Sequence, residues 1–240
     1  AGTALLKDIN PGAGGSGPGS LTRLADGRVL FRANDGSSGA ELWITDGTAA
    51  GTVRLKDINP GAGSGNPFEF VEISGGRVLF LANDGTTGQE LWITDGTAAG
   101  TRLLKDINPS GSGNVSGLAR LDSGRVLFTA EDGTSGAELW ISDGTEAGTV
   151  RVKDIRPGTL GSTPQFITPL GDGRAVFRAN DGTAGIELWI TNGTEAGTVR
   201  LKDIRSGATG SLPAGFLPVQ SNSPPQLASP VPDVKVTELI

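Results

Sequence analysis

Short runs of alternating apolar and polar residues, separated by glycine-rich turns, recur along the whole chain. In the first full repeat these runs lie at residues 21–24, 28–33, 41–45 and 52–58, which we label segments A, B, C and D. Alternation with a period of two is typical of strands, and the pair Asp26-Gly27 is a tight hairpin signal. No run shows helical spacing. The pattern therefore predicts four short antiparallel strands per repeat.

Segment C carries the most regular motif of the repeat. It reads ELWITDGT from Glu41 and again from Glu90, then ELWISDGT from Glu138 and ELWITNGT from Glu187. The tryptophans of the chain are four copies of one position, at spacings of 49, 48 and 49 residues: Trp43, Trp92, Trp140 and Trp189. A fixed period of this size is typical of propellers and solenoids, and four strands per period matches a propeller blade.

The connections between repeats support the same topology. A glycine-rich stretch, residues 59–67 in the first case, joins segment D to the next segment A. In a blade the chain must cross back over about 14 Å from the outer strand to the inner strand of the next blade. A stretch of roughly ten residues reaches up to about 33–36 Å, so it is long enough for this crossing.

The two ends of the chain carry incomplete repeats. Residues 1–9 match residues 50–58, so the chain opens at a segment D, and residues 212–219 resemble a segment A. We expect an all-β propeller of four complete four-stranded blades plus a partial fifth built from both ends, with its B and C strands drawn from the tail. A four-bladed ring with spare ends and an open array that polymerises into a filament are the alternatives.

Composition narrows the function classes. The chain of 240 residues has no histidine, cysteine, methionine or tyrosine, which excludes histidine- or cysteine-based triads and disulfides. The net charge of -6 opposes a nucleic-acid partner, which would need a basic face. No run of 18 apolar residues is present, so we expect no membrane-spanning helix.

The repeated motif, with the Gly-Thr and Lys-Asp-Ile that follow it, resembles the bacterial ELWxxDGT-repeat family over residues 1 to about 212. The fourth copy departs from the motif at Asn192. The resemblance implies a β-propeller module in a large secreted or surface protein. Residues 223–238 are similar to the first strand of a dystroglycan-type cadherin-like domain, a type found in bacterial adhesins. This implies a propeller at residues 1–220, and at residues 221–240 a proline-rich linker with the first strand of a following domain.

The tryptophans allow two interpretations. Alternation places Glu41, Trp43 and Thr45 on one face of the strand, with Leu42 and Ile44 on the other. Because both faces of a blade pack against neighbouring blades, we favour a core role for the ring. The alternative is a lectin-like platform on which sugars stack, with one site per blade: Trp43, Trp92, Trp140 and Trp189.

Two sets of aspartates lie in turns. Those before Gly-Thr are expected to hydrogen-bond their own turn backbone: Asp46, Asp95 and Asp143. Those of the Asn-Asp-Gly or Glu-Asp-Gly turns are candidate calcium ligands, one per blade: Asp35, Asp84, Asp132 and Asp181. Where the resemblance to a cadherin-like domain holds, Glu238 takes a position that often ligates calcium. Calcium is the one cofactor that the sequence suggests.

A third set belongs to the Lys-Asp-Ile segments: Asp8, Asp57, Asp106, Asp154 and Asp203. Alternation along segment D puts Asp57 on the face of Val53 and Leu55, opposite Arg54. A carboxylate on an apolar face must be hydrogen-bonded. We therefore expect bonds from a turn backbone or a threonine hydroxyl that clamp adjacent blades, and a clear loss of thermal stability on Asp106→Ala.

These features favour a non-enzymatic extracellular module for scaffolding, adhesion or assembly. Its expected partners are other domains or copies of the same protein, or extracellular glycans. The acidic residues recur with the repeat, whereas a catalytic site normally breaks such symmetry, so no catalytic residue is predicted. A carbohydrate-binding propeller is the second hypothesis and a polymerising array the third.

Overall fold

The computed structural model describes residues 2–207 and 210–213, and within these ranges the chain is built of strands and turns without helices. In these ranges sixteen strands form four antiparallel sheets, and the strands of each sheet follow their order in the sequence. Blade 1 contains β1 (Gly19–Arg23), β2 (Val29–Asn34), β3 (Ala40–Thr45) and β4 (Val53–Lys56). Blade 2 contains β5 (Phe68–Ile73), β6 (Arg77–Asn83), β7 (Gln89–Thr94) and β8 (Arg102–Lys105).

The second half of the chain repeats this arrangement. Blade 3 contains β9 (Ser116–Arg120), β10 (Val126–Glu131), β11 (Ala137–Ser142) and β12 (Val150–Lys153). Blade 4 contains β13 (Gln165–Pro169), β14 (Ala175–Asn180), β15 (Ile186–Thr191) and β16 (Val199–Lys202). The first strands of successive blades contact one another, which makes them the inner strands. The prediction of a β-propeller with four-stranded antiparallel blades is confirmed.

The two middle strands form the regular part of each blade. In blade 1 every residue from Val29 to Asn34 pairs across β2 and β3 without a register shift, and this brings Phe31 opposite Trp43. Their ring centroids lie 6.4 Å apart, and the corresponding pairs in the other blades lie 6.3–6.5 Å apart. Such aromatic cross-strand pairs stabilise a sheet beyond the area that they bury.

The blades pack face to face, and the same two surfaces meet at each junction. We call the side of a blade with the Leu30, Leu42 and Ile44 positions its front face, and the side with the Phe31, Ala33 and Trp43 positions its rear face. The front faces of blades 1, 2 and 3 pack on the rear faces of blades 2, 3 and 4, forming three apolar clusters. The predicted alternation of Trp43 against Leu42 and Ile44 thus separates the two faces of a blade.

The inner strands are irregular. Their pairing with the second strand shifts register in each blade. The bulged residue adopts a left-handed φ of 51–55° at Ser20, Glu69 and Phe166, and of 70° at Gly117. A bulge of this kind bends the strand and increases its twist. It is also a position at which the four repeats carry four different residues.

The ends of the described chain lie against the outer blades. Ile9 of the N-terminal segment packs on the rear face of blade 1, and Ser211 binds the start of β15. The predicted second domain at residues 221–240 lies outside the described residues. Over the ranges that the structure covers, no helix is long and apolar enough to cross a membrane.

Candidate functional site

A buried glutamate at the start of each ELW strand joins one blade to the next connection. Both carboxylate oxygens of Glu41 accept backbone hydrogen bonds, from Ile58 N–H at 2.7 Å and from Gly65 N–H at 2.6 Å. Glu90 binds Ile107 and Gly113 in the same way, and Glu138 binds Ile155 and Ser162. All four glutamates are fully buried: Glu41, Glu90, Glu138 and Glu187. In blades 1, 2 and 3 the carboxylate fixes the path of the chain from segment D to the next inner strand.

Burial changes the acidity of these glutamates. Removal from water raises the pKa of Glu41, Glu90 and Glu138, to about 7 for Glu90, although the backbone N–H donors work in the opposite direction. Glu187 differs. There burial is outweighed by hydrogen bonds from Ser211 Oγ and from backbone N–H groups such as that of Ile204, so its pKa is lowered.

A chain of buried hydroxyls supports the turn after each tryptophan strand. Thr45 Oγ1 and Thr52 Oγ1 lie 2.7 Å apart, Thr45 Oγ1 accepts a bond from Gly47 N–H, and Thr52 donates to the Thr48 carbonyl at 2.7 Å. The other blades repeat this arrangement with hydroxyl distances of 2.7–2.8 Å. The motif is therefore a self-contained turn whose polar groups bond to one another.

The Asp-Gly-Thr aspartates act within that turn. Asp46 Oδ1 accepts from Thr48 N–H at 2.9 Å and from Thr48 Oγ1 at 2.7 Å, and these two bonds lower its pKa. Asp95 and Asp143 make the same contacts. Asn192 also makes them, at 3.0 and 2.7 Å. The fourth blade keeps the turn without the charge, because an amide oxygen accepts the same bonds.

The four candidate calcium ligands also hold their own turns. Asp35 Oδ1 accepts from the N–H groups of Ser37 and Ser38, which lower its pKa. At Asp132, burial opposes the shift, but the N–H groups of Ser135 and Thr134 lower the pKa to about 2. Asp84 and Asp181 have the same turn contacts. No group of three or more metal-ligating side chains occurs in the described part of the chain. Calcium binding at these aspartates stays a prediction, and Glu238 lies outside the described residues.

The Lys-Asp-Ile aspartates do not have the expected geometry. Asp57 lies on the same side of the strand as Arg54, with Oδ2 3.6 Å from the guanidinium, because the pairing of β3 with β4 shifts register. Asp154 and Asp203 repeat this contact at 3.7 and 4.0 Å. Among the described residues, one oxygen of Asp57, Asp106 and Asp154 is buried without a hydrogen bond. The expected bonds from a turn or threonine hydroxyl were wrong for these three aspartates, and Glu41 and its counterparts provide the connection instead. Asp8 is exposed.

In blades 1, 3 and 4 an arginine lies between the turn aspartate and the Lys-Asp-Ile aspartate. Blade 2 has no arginine at this position. Arg54 Nη1 lies 3.5 Å from Asp35 and also binds Ser38, and Arg151 and Arg200 take the same place. Blade 2 has Leu103 at the corresponding position. Its carboxylates, Asp84 and Asp106, therefore have no guanidinium between them in the described structure.

The tryptophans are core residues. Their exposed fractions are only 6–7%, and each ring packs in an apolar cluster: Trp43, Trp92, Trp140 and Trp189. Sugar stacking needs an accessible ring face. The hypothesis that these four rings form a lectin platform is therefore wrong for the folded protein.

A cleft between blades 3 and 4 is lined by side chains that the repeat does not share. This open cavity of about 380 Å³ is bordered by Ser116, Thr129, Gln165 and Phe166. Phe166 is 49% exposed, and the guanidinium of Arg178 lies 4.5 Å from its ring centre. The ring and the cation are side chains that could contact a small ligand. The sequence analysis did not predict this cleft. The signal for it was a phenylalanine at position 166, where the other repeats have Ser20, Glu69 and Gly117.

Comparison with known proteins adds a likeness of fold. No protein-family model and no curated protein sequence matches the chain. The structure is similar to that of a puromycin hydrolase, with 18% identity and a TM-score of 0.52 over 81% of this chain. A putative TolB from Agrobacterium tumefaciens has 14% identity and a TM-score of 0.48 over 84% of the chain and 70% of its own. A virginiamycin B lyase from Staphylococcus aureus has 18% identity and a TM-score of 0.44 over 81% of the chain and 58% of its own.

The likeness concerns architecture alone. The chain spans 29% of the length of the puromycin hydrolase. Several of the similar structures are enzymes, but at identities of 18% or lower their activities do not transfer to this chain.

Proposed function

We propose that this chain is a non-enzymatic scaffold and assembly module of a larger secreted or cell-surface protein, where it holds other domains or copies of that protein together. The observation that supports this most strongly is how the repeated polar groups are used. Glu90 binds the backbone of the next connection, Asp95 binds its own turn, and the hydroxyls of Thr94 and Thr101 bind each other. The motif that dominates the sequence thus builds blades and joins them.

The junctions between blades share a second set of polar contacts. Arg28 donates to the Gly96 carbonyl of blade 2 at 2.9 Å, and Arg77 donates to the Gly144 carbonyl of blade 3 at 3.1 Å. Arg125 reaches the Asn192 carbonyl of blade 4 at 3.3 Å. Repetition of one junction is the design of solenoids and propellers, in which stability is a sum over neighbouring units. Such a design suits a rigid spacer or an assembly surface.

Carbohydrate binding is the second candidate, and the observation that favours it is the cleft at Phe166. Its exposed ring, beside Arg178 and Gln165, has the aromatic and polar character of a weak sugar site. In this second candidate the cleft takes the place of the four tryptophan sites of the lectin-like alternative.

A bead assay separates these functions. Beads coated with the protein should adhere to one another without added sugar, and the protein should show neither saturable binding on a glycan array nor turnover of ester, lactone or glycoside substrates. Adhesion that soluble sugar inhibits, and that Phe166→Ala abolishes, would favour the carbohydrate-binding function. Turnover of any of these substrates by the purified protein would overturn the proposal.

The control for this assay is Phe68→Ala, which removes a half-buried aromatic ring from the inner strand of blade 2. It checks that a change of adhesion in Phe166→Ala comes from the cleft and not from a weakened blade. Both variants should be compared at a temperature where both remain folded.

A further inference from the structure

Within the described residues, the front face of blade 4 lacks the cover that the front faces of blades 1, 2 and 3 have. Leu24, Ile73 and Leu121 at the rim of the first three front faces are 5%, 2% and 1% exposed, whereas Leu170 in blade 4 is 36% exposed. Ile58 in blade 1 is 3% exposed, but Ile204 at the same position is 55% exposed. Val176, Leu188 and Ile190 on this face are only partly buried. Blade 4 thus carries the apolar residues of a blade junction on its front face, but no described residues of another blade pack against them.

The rear face of blade 1 is covered in part by the N-terminal segment. Ile9 packs beside Phe31, Ala33 and Trp43, and it lies where Ile58 lies against the rear face of blade 2. Lys7 Nζ donates to the Thr52 carbonyl at 2.6 Å. Residues 5–9 therefore occupy the place of an outer strand of a preceding blade.

Lysines at the internal junctions show that this placement is the normal one. Lys105 Nζ donates to the Thr149 carbonyl of the next blade at 2.8 Å, and Lys153 Nζ donates to the Thr198 carbonyl at 2.9 Å. The bond from Lys7 to Thr52 is the same bond, made by a segment that has no strand pairing of its own in the described structure.

An apolar cavity lies between part of this segment and blade 1. It has a volume of about 270 Å³ and is lined mainly by apolar side chains, among them Leu5, Leu21 and Phe31. At the junction of blades 1 and 2 the corresponding ring, Phe80, packs in a cluster with Leu30, Leu42 and Ile44. The cavity marks the place that middle strands B and C would fill.

Residues 210–213, at the other end of the described chain, take the backbone path that leads into an inner strand in the earlier blades. Leu212 has a φ of 51° and its N–H binds the Ile186 carbonyl. Thr163, with a φ of 49°, binds the Ala137 carbonyl in the same way where blade 3 leads into the inner strand of blade 4. Residues 210–213 therefore follow the path by which every earlier blade enters the next one.

We infer that the exposed front face of blade 4 and the rear face of blade 1 form a docking site for one β-hairpin of the repeat's own type. Its rear side would carry the Phe-x-Ala and Trp pattern for blade 4. Its front side would carry two leucines and an isoleucine for blade 1, at the positions of Leu30, Leu42 and Ile44. The hairpin would pair its two strands with the backbone of the flanking segments, a form of β-augmentation. The outer and inner segments of this fifth position are those at residues 5–9 and 210–213.

A hairpin fits this site better than a second copy of the whole chain does. If blade 4 of one copy docked on blade 1 of another, β16 of the first and residues 5–9 of the second would compete for the same place. A hairpin of two strands leaves both segments where they are. The inference builds on the assembly role proposed above, but its test uses no adhesion assay, so either can fail without the other.

Fusion of a duplicate of residues 28–49 directly before Ala1 tests the inference, because it continues the repeat in phase into residues 1–9. The melting temperature of the extended protein should exceed that of the original chain by at least about 5 °C, since gains of this kind shift Tm by roughly 2–4 °C per kcal/mol in chains of this size. The amides of residues 186–191 and 199–204 should become protected from hydrogen exchange. The extended protein should sediment as a monomer.

Two matched variants check the contacts. In the extended protein, replacing the duplicated phenylalanine and tryptophan with serine should abolish the gain. Arg174→Ala should lower Tm only in the extended protein, because Arg174 now pairs with Asp172 at 2.9 Å and would there donate to the duplicated turn. In trans, a peptide of residues 28–46 should bind the original chain in a 1:1 ratio.

An unchanged melting temperature together with no binding of the peptide would overturn the inference. It would also be overturned if the original chain sedimented as a dimer or polymer with the face around Leu188 and Ile190 protected, because the occupant would then be a second copy.

Discussion

Glu90 of blade 2 accepts a hydrogen bond from the Gly113 N–H at 2.5 Å, so a buried carboxylate holds the connection that enters blade 3. The same carboxylate also binds the Ile107 N–H at 3.0 Å. Two backbone donors that would otherwise be buried without partners are satisfied by one side chain. This arrangement recurs at the junctions after blades 1 and 3, where Glu41 and Glu138 each bind two backbone N–H groups.

Stability is expected to fall as the pH rises from about 4.5 to about 7. Burial raises the pKa of Glu90 to about 7, so the folded state holds its proton more tightly than the unfolded state does. Protonated Glu90 therefore contributes fully to the free energy of unfolding below pH 4.5, the pKa in the unfolded chain. This contribution is lost as the pH rises through about 7, the pKa in the folded protein. The size of the effect is of the order of 1–3 kcal/mol, measured as the free energy of unfolding in urea.

Glu90→Gln should flatten this part of the pH profile, whatever its effect on stability at a single pH. The matched control is Glu146→Gln, at an exposed position. If Glu90→Gln kept the full slope between pH 4.5 and 7, Glu90 would not be the group responsible.

The turn aspartates should give the opposite dependence at lower pH. The Thr97 hydroxyl and N–H lower the pKa of Asp95, despite opposing burial, so its stabilisation is present above pH 3.8 and is lost as the pH falls through the folded pKa. Asp95→Ala should cost about 0.5–1.5 kcal/mol at pH 7. Asp95→Asn should cost much less, because Asn192 makes the same bonds in blade 4. Equal losses in the two variants, measured by urea unfolding, would show that the bonds to Thr97 are not what stabilises the turn.

Leu103→Arg should restore the outer ion pairs in blade 2. The new guanidinium would lie near Asp84 and Asp106, as Arg54 lies near Asp35 and Asp57. The expected gain is small, up to about 1 kcal/mol, because such partly exposed pairs are screened by water and because Leu103 packs on the apolar cluster between blades 1 and 2. The gain should disappear in 1 M salt and in the double variant with Asp84→Asn. The same geometry revises the expectation for Asp106→Ala, which should change Tm very little.

Trp140→Ala should destabilise the protein by about 3–5 kcal/mol, the usual cost of removing a large aromatic ring from a core. The ring packs between blades 2 and 3 beside Phe128, with centroids 6.5 Å apart. Tryptophan emission of the intact protein should be blue-shifted and resist quenching by iodide. Strong quenching would indicate accessible rings and would reopen the possibility of a platform for sugars.

Much of the fold follows from the sequence because its strands obey a period of two. The strand positions, the four blades and the assignment of Trp43 and Leu42 to opposite faces needed only alternation and turn signals. Repetition within a single chain also helped, since each position is observed four times. Where alternation broke down the prediction failed, as at Asp57, because the register shift between β3 and β4 is not encoded in the apolar pattern.

The polar contacts between blades were harder to predict. Glu41 was placed on the face of Trp43, but its bonds to Ile58 and Gly65 span 17 and 24 residues and depend on how the connection folds back. The signal that could have identified it was a carboxylate at the same buried strand position in all four repeats. The cleft at Phe166 depends on a bulge in an inner strand, which sequence alternation does not reveal.

Native-state hydrogen exchange tests the central claim, that blade junctions built from the repeated motif hold the fold together, most directly. The amides of Gly65, Gly113 and Ser162, each bonded to a buried glutamate, should exchange only with global unfolding. The amides of β16, beside the exposed front face of blade 4, should exchange much faster than those of β4, β8 and β12. Equal protection of all four outer strands, or rapid exchange at Gly113, would contradict the account.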